Sequence, residues 1–266
     1  MALNNWEYLY NGLTFGGATK YGIVAVEGLA SPPDIRDDVG TIPGRHGGWS
    51  FLDRYATRVV TITGDLNDNA TFETSLDALK KAFVAQTAPL PLSFKRPGMA
   101  GSGTMRVNCK PTKMHLPIDF NYQLGYSTWV VELLCDDPFI YDDVATVTTI
   151  TGATGGTAVI NNIGNVPSFP DNIRLTGPFT APIWRIDADA VNILTMSGSF
   201  AGSLYEDIDM DLRTIIPSYG GSNYASVVQA SSLWWPLPVG STTVRFTCTG
   251  GSGATKADIT WRSAWV

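Results

Sequence analysis

Only one stretch of this chain carries a helical period. In Asn69 to Gln86, "NATFETSLDALKKAFVAQ", the apolar residues Phe72, Leu76, Leu79 and Phe83 recur at i, i+4, i+7 and i+11. That spacing lines one face, while Glu73, Asp77, Lys80 and Lys81 fall on the others. Asn69 or Thr71 is positioned to cap its start, and acids precede lysines along it, the order the helix dipole favours. Pro89 and Pro91 prevent its return. The rest of the chain reads as strands and turns, so the fold is expected to be mainly β, with this helix packed on a sheet.

The strand signals are specific in places. Trp6 to Tyr10, the Asn11-Gly12 turn and Leu13 to Phe15 read as a hairpin. Tyr21 to Gly28 is a further strand, and Arg58 to Asp65 alternates with period two, which predicts one buried face. Gly40 to Trp49, "GTIPGRHGGW", reads as a glycine-rich loop between strands. The apolar run Trp129 to Cys135 is a strand stopped by Asp136-Asp137-Pro138, because proline cannot donate to a ladder and pushes its predecessor out of the α region. From Asp142 to Asn165 the chain is rich in Thr, Gly and Asn and reads as a linker. Beyond it come short strands at the interval of a β-sandwich. Among them, Ser203 to Arg213 puts Ile208, Met210 and Leu212 on one face and Asp207, Asp209 and Asp211 on the other. "STTVRF" and "KADITWR" make two more strands, joined by a turn through "TCTGGSGAT". The expected division is an α+β domain over 1–145 and an all-β sandwich over 146–266.

Charge and cysteine usage narrow the function classes. Charged residues make up 16% of the 266, against about 25% in ordinary soluble domains, so the surface is cheap to dehydrate and suits stable partners. A net charge of -6 without clustered Lys or Arg argues against a specific nucleic-acid grip. Cys109, Cys135 and Cys248 are widely spaced and odd in number, and read as buried thiols in strands. The start, "MALNNWEYLYNG", has no basic n-region or apolar h-region, and no run reaches the ~18 apolar residues of a membrane span. The expectation is a protein made in a cytoplasm, with no membrane partner.

Catalytic and cofactor patterns fail on inspection. "GGSGATK" at Gly250 to Lys256 puts Thr255 where a phosphate loop needs Gly, and Ala257 where it needs a hydroxyl; a turn is the better reading. Gly152, Gly155 and Gly156 follow no strand-to-helix pattern. Asp207, Asp209 and Asp211 lack the glycine and distal glutamate of a calcium loop, and read as a solvated face. His46 and His115 have no paired His or Cys nearby, there is no Gly-x-Ser-x-Gly elbow, and the sequon at Asn69 is idle without secretion. Asp187, Asp189, Glu206 and Asp207 could supply the two carboxylates of a glycosidase, but sequence does not place them. No catalytic residue, metal or cofactor is assigned. Five of the eight tryptophans lie in the second half, and Trp234 and Trp235 are candidates for stacking on sugar rings unless they fill the core between two sheets.

The order of several elements resembles a known family. "YLYNGLTFGG", "YGIVAVEGLASPPDIRDD", "PGRHGG", "RVVTITGDL" and "CDDPFIY" resemble the N-terminal domain of the distal tail proteins of long, non-contractile-tailed bacteriophages. "NIGNVPSFPDNIRLTGPFTAPIW", "YEDIDMDLRTI", "WWPLPVGSTTVRF" and "ADITWRSAW" resemble the C-terminal part of the same proteins. The resemblance covers nearly the whole chain and rests on the order of turns and strands.

It implies a non-enzymatic virion protein: a homo-hexameric ring joining the tail tube to the central tail-tip hub and to fibre or receptor-binding proteins. The N-terminal domain, a β-sandwich or barrel with one helix, would form the ring, and a galectin-like β-sandwich would project from it. "DDPFIY" would close the ring-forming domain. Six copies would carry six times the net charge of -6, and acidic groups lining the channel would keep passing DNA from sticking. The segment with Arg45, His46 and Trp49, followed by Arg54 and Arg58, is the candidate subunit contact, the alternative being a local surface loop. The rival function is a carbohydrate-binding protein that meets cell-wall glycans through Trp234 or Trp235.

Overall fold

The structure is a computed structural model; it describes residues 3–36, 39–41, 48–50, 54–99, 101, 103–187, 189–202, 204–218 and 227–266, with backbone alone at 39–41 and 48–50. The chain divides between Asp143 and Val144 into two compact units.

The first unit contains β1 (Glu7–Tyr10), β2 (Leu13–Gly16), β3 (Tyr21–Glu27), β4 (Ile35–Arg36), β5 (Val39–Thr41), β6 (Gly48–Ser50), β7 (Arg54–Tyr55) and β8 (Arg58–Asn67). They are followed by α1 (Phe72–Ala82), β9 (Leu90–Phe94), β10 (Met105–His115), β11 (Tyr126–Cys135) and β12 (Ile140–Asp142). The main sheet runs β2-β1-β9-β10-β11-β8-β3, with β12 also on β10. β10 is the joint: Met105 to Cys109 pair with β9, and Lys110 to His115 pair with β11 around a register shift between Pro111 and Lys113. Such a strand lets one sheet bend into two layers. The terminal strands β2 and β3 are not hydrogen-bonded to each other, so the expected sandwich or barrel is not a closed barrel.

The expected hairpin of β1 and β2 forms, with Tyr10 opposite Leu13 and both turn residues at positive φ, Asn11 at 45° and Gly12 at 82°. Those dihedrals are why Asn-Gly is favoured there. β8 buries alternate residues, as its period two requires. Across from it, Trp129 of β11 registers with Gly64, where a Cβ would lie 2.3 Å from the indole; only glycine leaves room for that ring.

The helix is shorter than the periodic stretch, but its apolar face is the one expected: Phe72, Leu76, Leu79 and Phe83 are all buried. Phe83 locks it in place, stacking on Tyr10 at 5.3 Å and meeting Phe15 and Trp129 at 5.9 and 6.1 Å. The cap differs from expectation. Thr71 holds the N-cap position without a side-chain cap bond, and Asp68 instead accepts from the Thr71 amide at 3.0 Å and the Thr71 hydroxyl at 2.7 Å. Ser75, Thr71 and Lys20 donating to Asp68 hold its carboxyl well below the usual carboxylate range.

The second unit contains β13 (Thr146–Thr151), β14 (Gly155–Asn162), β15 (Asn172–Thr176), β16 (Phe179–Ile186), β17 (Ile193–Thr195) and β18 (Ser199–Phe200). After them come β19 (Tyr205–Asp209), β20 (Thr214–Pro217), β21 (Gly240–Thr249), β22 (Lys256–Trp261) and β23 (Ala264–Trp265). One sheet runs β13-β22-β15-β19-β20 and the other β14-β21-β16-β17, with β18 on β16; every pairing is antiparallel. Between them lies a core that includes Phe179, Trp184, Phe246, Ile259 and Trp235.

Three expectations fail in this unit. The Thr/Gly/Asn-rich stretch after Asp142 is no linker, since β13 and β14 are its first two strands, each on a different sheet. β21 and β22 likewise belong to different sheets, so "TCTGGSGAT" crosses the sandwich and is not a hairpin turn. Leu212 does not continue the apolar face of β19: the chain turns at Arg213 (φ 55°), and Glu206, Ile208 and Met210 are the residues that point inward.

Candidate functional site

The candidate subunit-contact residues fall into three groups. Arg45 and His46 lie outside the described residues. The flanks of their segment pair as a two-step hairpin, Ile35 opposite Tyr55 and Arg36 opposite Arg54, then Val39 opposite Ser50 and Gly40 opposite Trp49. The glycine-rich stretch therefore contains strand on both sides. Arg54 is exposed on this hairpin, and the backbone of Trp49 is in β6.

Arg58 is a correction. It is only 2% exposed, and its guanidinium donates to the carbonyls of Gly28, of Ser31 at 2.7 Å and of Pro138 at 2.7 Å. Burial lowers its pKa, so the surrounding carbonyls must hold the charge. Its role is internal, tying the loop after β3 to the proline that ends β11. "Asp-Asp-Pro" thus does more than stop a strand: Asp137 also accepts from the Phe139 amide at 3.1 Å and the Tyr141 hydroxyl at 2.6 Å, fixing the turn into β12.

Of the two sugar-stacking candidates, Trp235 is corrected too. Trp235 is buried and stacked on Trp184, centroids 5.6 Å apart at 9°, and Trp234 is partly buried against the same core. Trp235 therefore presents no open ring face. The carboxylates are also occupied. Asp187 pairs with Arg245, Asp189 bonds the Val191 amide at 2.7 Å, and Asp207 receives a fork from Arg174 at 2.7 and 2.8 Å. Asp209 accepts the amides of Asp211 and Leu212, an Asx turn in place of a metal loop. Among the described residues no three His, Cys, Asp or Glu converge as metal ligands. Glu206 stands apart: it is buried, neither oxygen has a hydrogen-bond partner, and burial pushes its carboxyl up to about 7. The three cysteines are free and buried, as expected, and His115 is exposed at the end of β10.

Two surface features of the first unit carried no sequence signal strong enough to single them out. One is a cavity of about 650 Å³ along the free edge of β3, lined by Trp6, Ile23, Val24, Leu29, Asp65 and Arg96 among others. At its rim Trp6 is 56% exposed and sits at φ 68°, a conformation costly for a bulky residue, held by Asn4 bonding Glu7 and by the Trp6 amide donating to Lys95 O at 2.8 Å. Val24, at the register shift in β3, is 70% exposed. The other feature is the connection between β10 and β11. Its 3-10 turn, Phe120–Leu124, is capped by Asp119 and closed by Gly125 at φ 74°. Tyr122 anchors it to α1, ring on Phe72 at 4.9 Å and hydroxyl to Glu73 at 3.0 Å, while Ile118 (81%), Phe120 (76%) and Leu124 (61%) stay exposed.

No protein-family model matches the sequence, and no curated protein matches it. Solved structures do. The Dit (gp 19.1) protein of phage SPP1, described as a paradigm of the hub adsorption apparatus in Gram-positive infecting phages, superposes with a TM-score of 0.68 at 13% identity, over 98% of this chain and 99% of that one. A chain of the phage P2 baseplate in its activated conformation with calcium gives a TM-score of 0.55 at 8% identity, over 97% of each chain. The chain has a Dit-like fold. The strontium form of the same baseplate agrees, with a TM-score of 0.54 at 8% identity over 96% of this chain and 97% of that one. The Dit-like likeness spans both units in the same order, and the expected resemblance to distal tail proteins is met at the level of structure.

Proposed function

We propose that this chain is a structural protein of a phage tail tip: the subunit of a hexameric ring that joins the tail tube to the tip hub and to fibre or receptor-binding proteins. The observation that carries this reading is the end-to-end likeness to a phage hub protein, which extends through both units. In it, the first unit forms the ring, the second projects from it, and neither catalyses a reaction. The protein resides in the virion after synthesis in the host cytoplasm, and DNA passes the ring without specific binding. The net charge of -6 per chain supports an acidic channel that keeps DNA from sticking. Arg45, His46, Trp49 and Arg54, in the stretch of sequence from β4 to β7, remain candidates for crossing to the neighbouring subunit. The glycan-binding alternative loses Trp235 to the core and keeps only the partly buried Trp234.

Light scattering at several concentrations tests the ring. A particle of six 28.6 kDa chains is expected, and replacing Arg45 and Trp49 together by Ala is expected to weaken it. A mass that stays at one chain throughout would count against self-assembly, and an intact hexamer in the double variant would remove the hairpin from the contact.

A further inference from the structure

A ring subunit needs two different complementary patches, because a head-to-tail contact repeats around the axis and a self-complementary patch would stop at a dimer. The two surface features of the first unit meet that requirement. The capped turn between β10 and β11 lies beyond the strand ends beside the start of α1, whereas the cavity lies along the free edge of β3. They are therefore distinct surfaces on one unit. Both are built to stay as they are. Tyr122 takes the turn's inward position against Phe72, so Ile118, Phe120 and Leu124 are displayed on a fixed base. Trp6 is held outward in a left-handed conformation that the local turn pays for.

Their chemistry matches. The turn presents three large apolar side chains with one acid among them, Asp119. The cavity presents Trp6, Ile23, Val24 and Leu29 with two charged groups, Asp65 and Arg96, the Arg96 guanidinium lying 5.6 Å from the Phe94 ring. A volume of about 650 Å³ accommodates several such side chains. Resting on the ring reading above, we propose that the Ile118–Phe120–Leu124 turn of one copy docks into the Trp6–Val24 cavity of the next copy. Phe120 supplies the buried anchor and Asp119 faces Arg96. An apolar anchor seated in a pocket and ringed by polar groups is the arrangement that concentrates binding energy at protein interfaces.

Cysteine cross-linking decides it. Val24 and Phe120 are exposed, so replacing either leaves the fold intact, and the native thiols are buried away from the reaction. A Val24→Cys chain mixed with a Phe120→Cys chain under a mild oxidant is expected to give the mixed disulfide. A chain carrying both substitutions should give a ladder ending at the closed ring. Phe120→Asp should raise the concentration at which the ring dissociates about tenfold or more. Disulfides only between Phe120→Cys chains would mean turn-to-turn contact and overturn the proposal. A wild-type hexamer without the mixed disulfide would overturn the docking and leave the ring standing. A wild-type monomer without the mixed disulfide would overturn both.

Discussion

A helix closes the core of the first unit, and a second sheet closes that of the other. In the first, Phe83, the C-cap of α1, reaches Tyr10, Phe15 and Trp129 from outside the strands, and the sheet bends at β10 without its end strands pairing. In the second, two antiparallel sheets face each other, and Trp184 and Trp235 stack between them. The difference decides what is left over. A bent sheet with one helix leaves β3 at the end of the hydrogen-bonded order, beside a cavity, with Trp6 and Phe120 displayed. Ion pairs do not separate the units: the first joins Lys20 to Asp68 and Lys110 to Asp136, and the sandwich joins Arg174 to Asp207, Lys256 to Asp258 and Arg262 to Asp171. Both units expose large apolar side chains, Val147, Val159 and Leu212 among them in the second, but Ile118, Phe120 and Leu124 of the first stand together on a turn fixed by Tyr122.

The largest expected effect lies where the first unit depends on a single polar side chain. Arg58→Ala removes the donor to Gly28, Ser31 and Pro138 and leaves those carbonyls without it. The expected loss is about 4 kcal/mol, since buried bonds to a charged group are costly to break. Urea denaturation measures it, and hydrogen exchange should show the loss spreading from the loop after β3 and the turn before β12. Arg58→Lys should not rescue it, because one ammonium cannot reach three divergent carbonyls. A loss below about 1 kcal/mol would mean that water replaces the guanidinium, and that the two units are less different than their cores suggest.

Legibility in the sequence follows the same line. Local rules held where the partners are close in the chain: Asn11-Gly12 makes its turn, the i, i+4, i+7 pattern makes its helix, and Asp136-Asp137-Pro138 ends β11. They failed where the partner is far away. Arg58 looks like a surface arginine until Pro138, 80 positions on, is found at its nitrogen. "TCTGGSGAT" looks like a hairpin turn because both flanks alternate, yet β21 and β22 pair with other strands. Polar composition also misled: the Thr and Gly residues after Asp142 form strands because one face of each sheet is wet and tolerates them. Of the two surfaces proposed to dock, "PIDFNYQL" carried the one available hint, apolar residues concentrated in a connection where polar ones are the rule. Nothing in the sequence marks Trp6 as strained.

The core of the second unit contains one group that works against it. Glu206 faces inward from β19 with Ile208 and Met210, its cross-strand neighbours Leu175 and Pro217 bring no charge, and its carboxyl is pushed up to about 7. The raised value means the folded chain keeps a proton that the unfolded chain releases near 4.5. The contribution of Glu206 to stability is therefore greatest below about 4.5, falls as pH rises from there and levels off above about 7, a total of roughly 3 kcal/mol. Thermal unfolding across that range should show the decline, and Glu206→Gln should flatten it. A wild-type profile that rises with pH over this window would mean that Glu206 finds a partner.

The smallest effect is expected on the outer face of the same sheet. Arg174 forks onto Asp207 and lies 4.1 Å from the Tyr205 ring, yet its side chain remains 44% exposed, so solvent screens the pair. A double-mutant cycle with Arg174→Ala and Asp207→Ala should return a coupling of about 0.5–1 kcal/mol, weakened by salt. The opposite result is informative. A coupling of about 2 kcal/mol or more, insensitive to salt, would make this network part of what holds β15 to β19. The sandwich would then depend on a polar cluster as the first unit depends on Arg58, and the contrast between the two units would have to be drawn elsewhere. A small, salt-sensitive value keeps the contrast where the cores place it. The second unit is stable through what lies between its sheets, and its charged face is then free to vary without loss of fold.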